Sequence, residues 1–174
     1  AGNTTGTTSF TPTDDSVYEG NETGIVAISG VSGADASESG SQSVTITITE
    51  DENAPTVTLT TSATLIAENA GSPLTLTATL SGVADENVVV SISTSGTGTE
   101  GTDYSTISDI TISAGSTTGT ASFTPSDDSG DPVYEENETA IVAISSVSGA
   151  DASESGSQSV TITITENESA PTVT

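Results

Sequence analysis

The run Val160-Thr161-Ile162-Thr163-Ile164-Thr165 alternates apolar and polar residues without error, and residues 44–49 carry the same run. A period of two puts every apolar residue on one side of a pleated strand, so this pattern limits the fold more than any other feature. Val, Ile and Thr are branched at Cβ, which suits a sheet and crowds a helix. The same residue types fill the rest of the chain between stretches rich in Gly, Ser, Asn and Asp. The expectation is an all-β protein with no helix of note.

The two runs belong to a longer self-similarity. Ala54-Pro55-Thr56-Val57-Thr58 returns as Ala170-Pro171-Thr172-Val173-Thr174, and Ser9-Phe10-Thr11-Pro12 returns as Ser122-Phe123-Thr124-Pro125. The two spacings differ by the insertion Gly130-Asp131-Pro132. With that insertion set aside, residues 1–58 match residues 114–174 at roughly six positions in seven. A repeat of about 115 residues is domain-sized and should own a core. The chain therefore divides into the C-terminal half of one repeat (1–54), a complete repeat (55–169) and the start of another (170–174). It reads as a piece of a tandem array.

In the complete repeat, turn-rich stretches separate seven strand segments: 56–67 (broken near Ser62), 73–80, 87–94, 107–113, 118–125, 139–146 and 158–165. Seven short strands at this spacing predict an immunoglobulin-like antiparallel β-sandwich in each complete repeat. Leu74, Leu76, Ala78 and Leu80 share one face of the second segment, and Val88, Val90 and Ile92 one face of the third, so these are the expected core faces. The half repeat supplies only the last three strands, which leaves Val44, Ile46 and Ile48 uncovered.

Charge then narrows the function. The 174 residues include 25 Asp and Glu and no Lys, Arg or His, a net charge of −25. A chain without cations cannot neutralise a phosphate backbone or an anionic lipid surface, so nucleic acid is excluded as a partner. Without His, Cys or Lys it has no Ser-His dyad, thiolate, Schiff base or His-ligated zinc, and the expectation is a protein that is not an enzyme. No apolar run approaches the ~20 residues needed to span a bilayer, so no membrane insertion is expected.

If successive strands run up and down, the loops fall on two poles. Eleven of the sixteen acids of residues 55–174 then gather on one pole, and four (Asp85, Glu86, Asp151, Glu154) on the other; Asp109 lies on a strand. Two carboxylates ~5 Å apart repel by roughly 0.8 kcal/mol in water and by several times that at lower dielectric. With no Arg or Lys to offset this, a crowded acidic pole either splays, protonates or binds cations. Ca²⁺ takes 6 to 8 oxygen ligands in flexible geometry and needs neither His nor Cys.

The order and spacing of several blocks resemble the Calx-beta domain. They are Asp103-Tyr104, Ile110-Thr111-Ile112 with Ala114-Gly115-Ser116, Asp127-Asp128, Val133-Tyr134-Glu135-Glu136-Asn137-Glu138-Thr139, and Val160 to Ile164 closing on Glu166-Asn167-Glu168. The resemblance spans residues 56–168, and again 1–52 in the half repeat. It implies an immunoglobulin-like sandwich that, in calcium-binding members, holds Ca²⁺ at one end. The ligands it implies here are Glu68, Asp103, Asp127, Asp128, a carbonyl near Val133, Glu135, Glu138, Glu166 and Glu168. In the half repeat they are Asp14, Asp15, Glu19, Glu22, Glu50 and Glu52, without counterparts of Glu68 and Asp103.

The function expected from this is a calcium-rigidified extender segment of a repetitive adhesin-type protein or fibre, extracellular or on the cell surface. Its partners would be neighbouring repeats or copies of itself, with any cell-surface or matrix ligand bound through other parts of the protein. Two alternatives are a filament assembled by strand exchange between incomplete sandwiches and a calcium-sensing regulatory module.

Overall fold

The computed structural model describes residues 2, 4–127 and 134–174, and its described residues form strands and no helix. In chain order the strands are β1 (Val17–Tyr18), β2 (Glu22–Ala27), β3 (Ser43–Ile48), β4 (Thr56–Thr61), β5 (Leu65–Ala67), β6 (Leu74–Leu80), β7 (Val83–Ala84), β8 (Val88–Gly96), β9 (Ile110–Ile112), β10 (Thr118–Phe123), β11 (Glu138–Ser148), β12 (Ser153–Glu154) and β13 (Ser159–Thr165).

The complete repeat is a sandwich of two sheets. One has the strand order β10-β6-β4-β12 and the other β5-β13-β11-β8-β9. The alternating residues do what their period requires. Leu76, Ala78 and Leu80 of β6 are buried, as are Val57 and Leu59 of β4, Val88 and Val90 of β8, Val142 of β11, and Ile162 and Ile164 of β13. Leu74 and Ile92, expected in the core, lie half-buried at its margin. Each Leu, Ile or Val fully removed from water contributes roughly 1.5–3 kcal/mol before entropy is counted. The two largest fully buried side chains are aromatic, and Tyr104 stacks on Phe123 at 4.9 Å between ring centroids.

The break expected near Ser62 is where the chain changes sheets. β4 pairs antiparallel with β6, whereas β5 pairs parallel with β13, aligning Ile66 with Ile164 and Ala67 with Thr165. Ser62 bridges the change: its amide donates to the Thr75 carbonyl at 2.9 Å, and its Oγ accepts the Thr75 amide at 3.0 Å. The strand expected over 107–113 is shorter, as β9, and pairs with β8 at the edge of the five-stranded sheet.

In the half repeat, β2 and β3 form a hairpin whose register, Glu22 opposite Ile48, repeats that of Glu138 opposite Ile164 in β11 and β13. The expected third strand is absent: the described residues among 4–12 form none, although their counterparts in the complete repeat form β10. β10 is held by six paired positions on β6, and the half repeat has no such partner. Its hairpin face is open, with Val26 42% and Val44 63% exposed.

Two local features were not expected. β1 pairs parallel with β7, joining the half repeat to the complete one. The turn after β11 places Gly149, Ala150 and Asp151 at φ of 95°, 49° and 48°, and Gly33, Ala34 and Asp35 repeat it at 92°, 50° and 53°. A left-handed conformation costs roughly 1–2 kcal/mol for a residue with a Cβ.

Candidate metal centre

The pairing of β5 with β13 builds the first corner of the acidic pole. The Glu68 amide donates to the Thr165 carbonyl at 3.1 Å, so Glu68 leaves its strand beside Glu166 and Glu168, which leave β13. Carboxylate oxygens of Glu68, Glu166 and Glu168 lie within 4.8 Å of one another. A second group of the same compactness comprises Asp103, Glu135 and Glu138. Asp103 belongs to a tight turn in which its amide donates to the Thr99 carbonyl and its carboxylate accepts the Thr99 amide at 2.6 Å. The next residue, Tyr104, anchors that turn in the core, 1% exposed.

Glu166 organises the corner. Its two carboxylate oxygens accept the amides of Glu135 (2.6 Å), Asn167 (2.8 Å) and Glu168 (2.9 Å). These bonds, with the Glu168 amide foremost, pull its carboxyl down to about 2. The Asn137 Oδ1 accepts the Glu166 amide at 3.0 Å, so the segment before β11 and the exit of β13 are stitched together in both directions. Glu138 has the opposite character. Burial first, then the charges of Asp103 and Glu135, raise its carboxyl above the ordinary range, and Glu166 adds to the effect. The field at Glu138 thus comes from members of both groups. A divalent cation would relieve that repulsion, and an all-oxygen donor set of carboxylates suits Ca²⁺.

Six of the residues expected to ligate in the complete repeat, Glu68, Asp103, Glu135, Glu138, Glu166 and Glu168, are therefore brought into two adjacent clusters. Asp127 is placed at the same pole, its Oδ1 accepting the Asn167 side-chain amide at 3.4 Å, but it is not a member of either cluster. Asp128 and Val133 lie outside the described residues.

In the half repeat the corner forms again. The Glu50 carboxylate accepts the amides of Glu19 (2.5 Å), Gly20 (2.7 Å), Asp51 and Glu52 (both 3.0 Å), and is pulled down to about 2 with the Glu19 amide foremost. Glu52, hydrogen-bonded to Glu50, is pushed up to about 7. Here the cluster is Asp14, Asp51 and Glu52. Asp51, an acid of the half repeat outside the expected ligand set, stands where the complete repeat carries Asn167. Asp15 instead closes a turn on the Val17 amide at 2.8 Å. Glu19, Glu22 and Glu50 stand nearby without joining the cluster. A groove of about 660 Å³ opens beside these acids, with Phe10 on its wall.

The four acids of the opposite pole form no such cluster among the described residues. Glu86 accepts the Ala150 amide at 3.4 Å, Glu154 accepts the Gln158 amide, Asp151 accepts the Tyr18 hydroxyl at 2.7 Å, and the Asp85 amide donates to the Tyr18 carbonyl at 3.1 Å.

The sequence profile of the Calx-beta domain matches residues 1–52 and 50–168. The chain belongs to the Calx-beta domain family. Calx-beta domains are calcium-binding β-sandwich modules. The crystal structure of the apo-form Calx CBD1 domain is similar to this Calx-beta chain with a TM-score of 0.51 and 17% identity, covering 65% of this chain and 99% of that one. At that identity the likeness concerns the fold. No match is found among curated proteins. In this chain, strand ends and loops of one pole carry the clustered acids.

Proposed function

We propose that this chain is an extender segment of a repetitive extracellular or cell-surface protein, stiffened by Ca²⁺ at one pole of each Calx-beta repeat. The observation that carries the reading is where the clusters sit. Asp14, Asp51 and Glu52 close the half repeat just before Pro55, which is itself fully buried in the next sandwich. A cation held there fixes the place where one repeat gives way to the next. Glu68, Glu166 and Glu168 occupy the corresponding corner of the complete repeat. Affinities of about 10⁻⁴ to 10⁻³ M would suffice at the millimolar calcium found outside cells.

In this reading the repeats act by length and stiffness and have no catalytic part, and near-identical copies favour spacing over calcium sensing, for which few copies suffice. The test is calorimetric titration of Ca²⁺ into the chelated full chain, with small-angle scattering before and after. Saturable binding with a narrower, more extended particle is expected. No heat and no change of shape would overturn the proposal.

One observation favours a second reading, assembly by strand exchange: the uncovered face of β2 and β3, where Val26, Ile28 and Val44 are exposed. Ordered oligomers in light scattering would support it, and a monomer at high concentration would exclude it.

A further inference from the structure

The contact between the two copies is built from a motif that the chain contains more than once. Val17 and Tyr18 lie parallel to Val83 and Ala84, and the Tyr18 carbonyl accepts the Asp85 amide at 3.1 Å. The Tyr18 hydroxyl then donates to Asp151 Oδ2 at 2.7 Å, across 133 residues of sequence. Tyr18 is half-buried, packed against the margin of the core. Asp151 reaches it from the left-handed Gly149-Ala150-Asp151 turn. That turn is pressed onto the preceding loop: a Cβ on Gly149 would stand 2.1 Å from the Asn87 carbonyl oxygen. The Ala152 amide closes the turn on the Gly149 carbonyl at 2.9 Å.

Both halves of this contact recur. Val133-Tyr134-Glu135 repeats Val17-Tyr18-Glu19 in sequence, and Tyr134 is 38% exposed. Gly33-Ala34-Asp35-Ala36 repeats the turn with the same backbone angles, closed by the Ala36 amide on the Gly33 carbonyl at 3.1 Å, and Asp35 is exposed. Two successive non-glycine residues held left-handed in both copies are a strained arrangement that sequence reproduces, and in the copy where a neighbour is present its aspartate receives a tyrosine.

We propose that this tyrosine-to-aspartate latch, with its two-residue parallel pairing, is the docking element between successive repeats, and that Tyr134 takes the same seat on a further complete repeat of this kind. The occupant follows from the chemistry of the seat that Tyr18 uses: a short Val-Ala strand end, an accepting Asp in a left-handed turn, and a following amide donor. The inference rests on the reading of the chain as part of an array, but it assigns the contact to groups outside the calcium clusters.

Two arms test it in the full chain. The chain has no Cys, so spin labels on cysteines introduced at exposed Ser39 and Ser116 report the distance between the copies. Tyr18→Phe and Asp151→Asn should each broaden a single narrow distance distribution, in chelator as well as in calcium, and the double variant should broaden it no further. An unchanged width in either single variant overturns the latch. The calcium dependence of melting should persist in Tyr18→Phe, so its loss from the wild-type chain would sink the stiffening proposal alone. In the second arm, residues 59–174 are appended after Thr174, which continues the repeat in register. Nitration of Tyr134 should slow several-fold relative to the 174-residue chain. An equal rate overturns the assignment of its seat.

Discussion

Residues 1–58 and their second copy carry almost the same amino acids in two environments. In the complete repeat Phe123 and Val142 are fully buried; their counterparts Phe10 and Val26 are 47% and 42% exposed. The hairpin register is nevertheless the same, and in both copies the amide of the glutamate after it, Glu50 or Glu166, donates to the Oδ1 of the corresponding asparagine, Asn21 or Asn137. Hairpin and acidic corner are therefore written into local sequence, whereas the core and β10 exist only when β4 to β9 are there to receive them. The comparison separates what is local in a Calx-beta repeat from what is cooperative.

The largest test of that separation is a pair of identical substitutions. Phe123→Ala should destabilise the folded repeat by roughly 3–5 kcal/mol, because it leaves a cavity against Tyr104. Phe10→Ala should stay within about 0.5 kcal/mol, as at an exposed site. Denaturant unfolding of the two variants measures both, and equal losses would show that the half repeat owns a core after all.

Next in size is the cation. Chelation should lower the main melting transition of the full chain by more than about 10 °C, since binding to the folded state alone adds directly to stability. Scanning calorimetry with and without calcium reads the shift, and superimposable transitions would break the link between the acidic pole and folding.

A smaller effect divides the clusters between the copies. Asp103→Asn with Glu138→Gln should remove much of that calcium-dependent shift, because both residues belong to the cooperative sandwich. Asp14→Asn with Glu52→Gln should leave the main transition nearly as it was and reduce only the number of ions bound in a titration. If the half-repeat pair moved the main transition as much as the other, the two copies would be one folding unit.

Much of this organisation was legible in the sequence because it depends on short-range rules. Period-two alternation put Ile162 and Ile164 on one face of a strand, the strand break expected near Ser62 fell where the chain changes sheets, and strand-direction parity gathered Glu68, Asp103, Glu135, Glu138, Glu166 and Glu168 at one pole. The unread parts depend on partners distant in sequence. That both oxygens of Glu166 are engaged by amides, one of them 31 residues away, is set by turn geometry that residue type does not reveal. The missing strand of the half repeat follows from an absent neighbour, although its own sequence is a good strand. The pairing of β1 with β7 involves two residues on each side, too few to leave a periodic signal.

The subtlest effect concerns the Tyr18 phenol. The hydrogen bond to Asp151 comes first, followed by burial and the charges of Asp151 and Glu50, and together they raise the Tyr18 hydroxyl above the ordinary tyrosine range. A group whose folded pKa is raised contributes its stabilisation fully below the unfolded value and loses it as pH climbs through the folded one. The latch should thus hold through neutral pH and open only in alkali beyond about 10, the usual phenol value. In the near-ultraviolet titration difference between wild-type chain and Tyr18→Phe, which isolates this phenol, ionisation should come late, and it should come earlier when Asp151→Asn replaces wild type in the same difference. Because Asp151 loses only its charge in the asparagine variant while the parallel pairing of β1 and β7 remains possible, an early shift without any change in the inter-repeat distance would assign the docking to the backbone and leave the phenol a bystander.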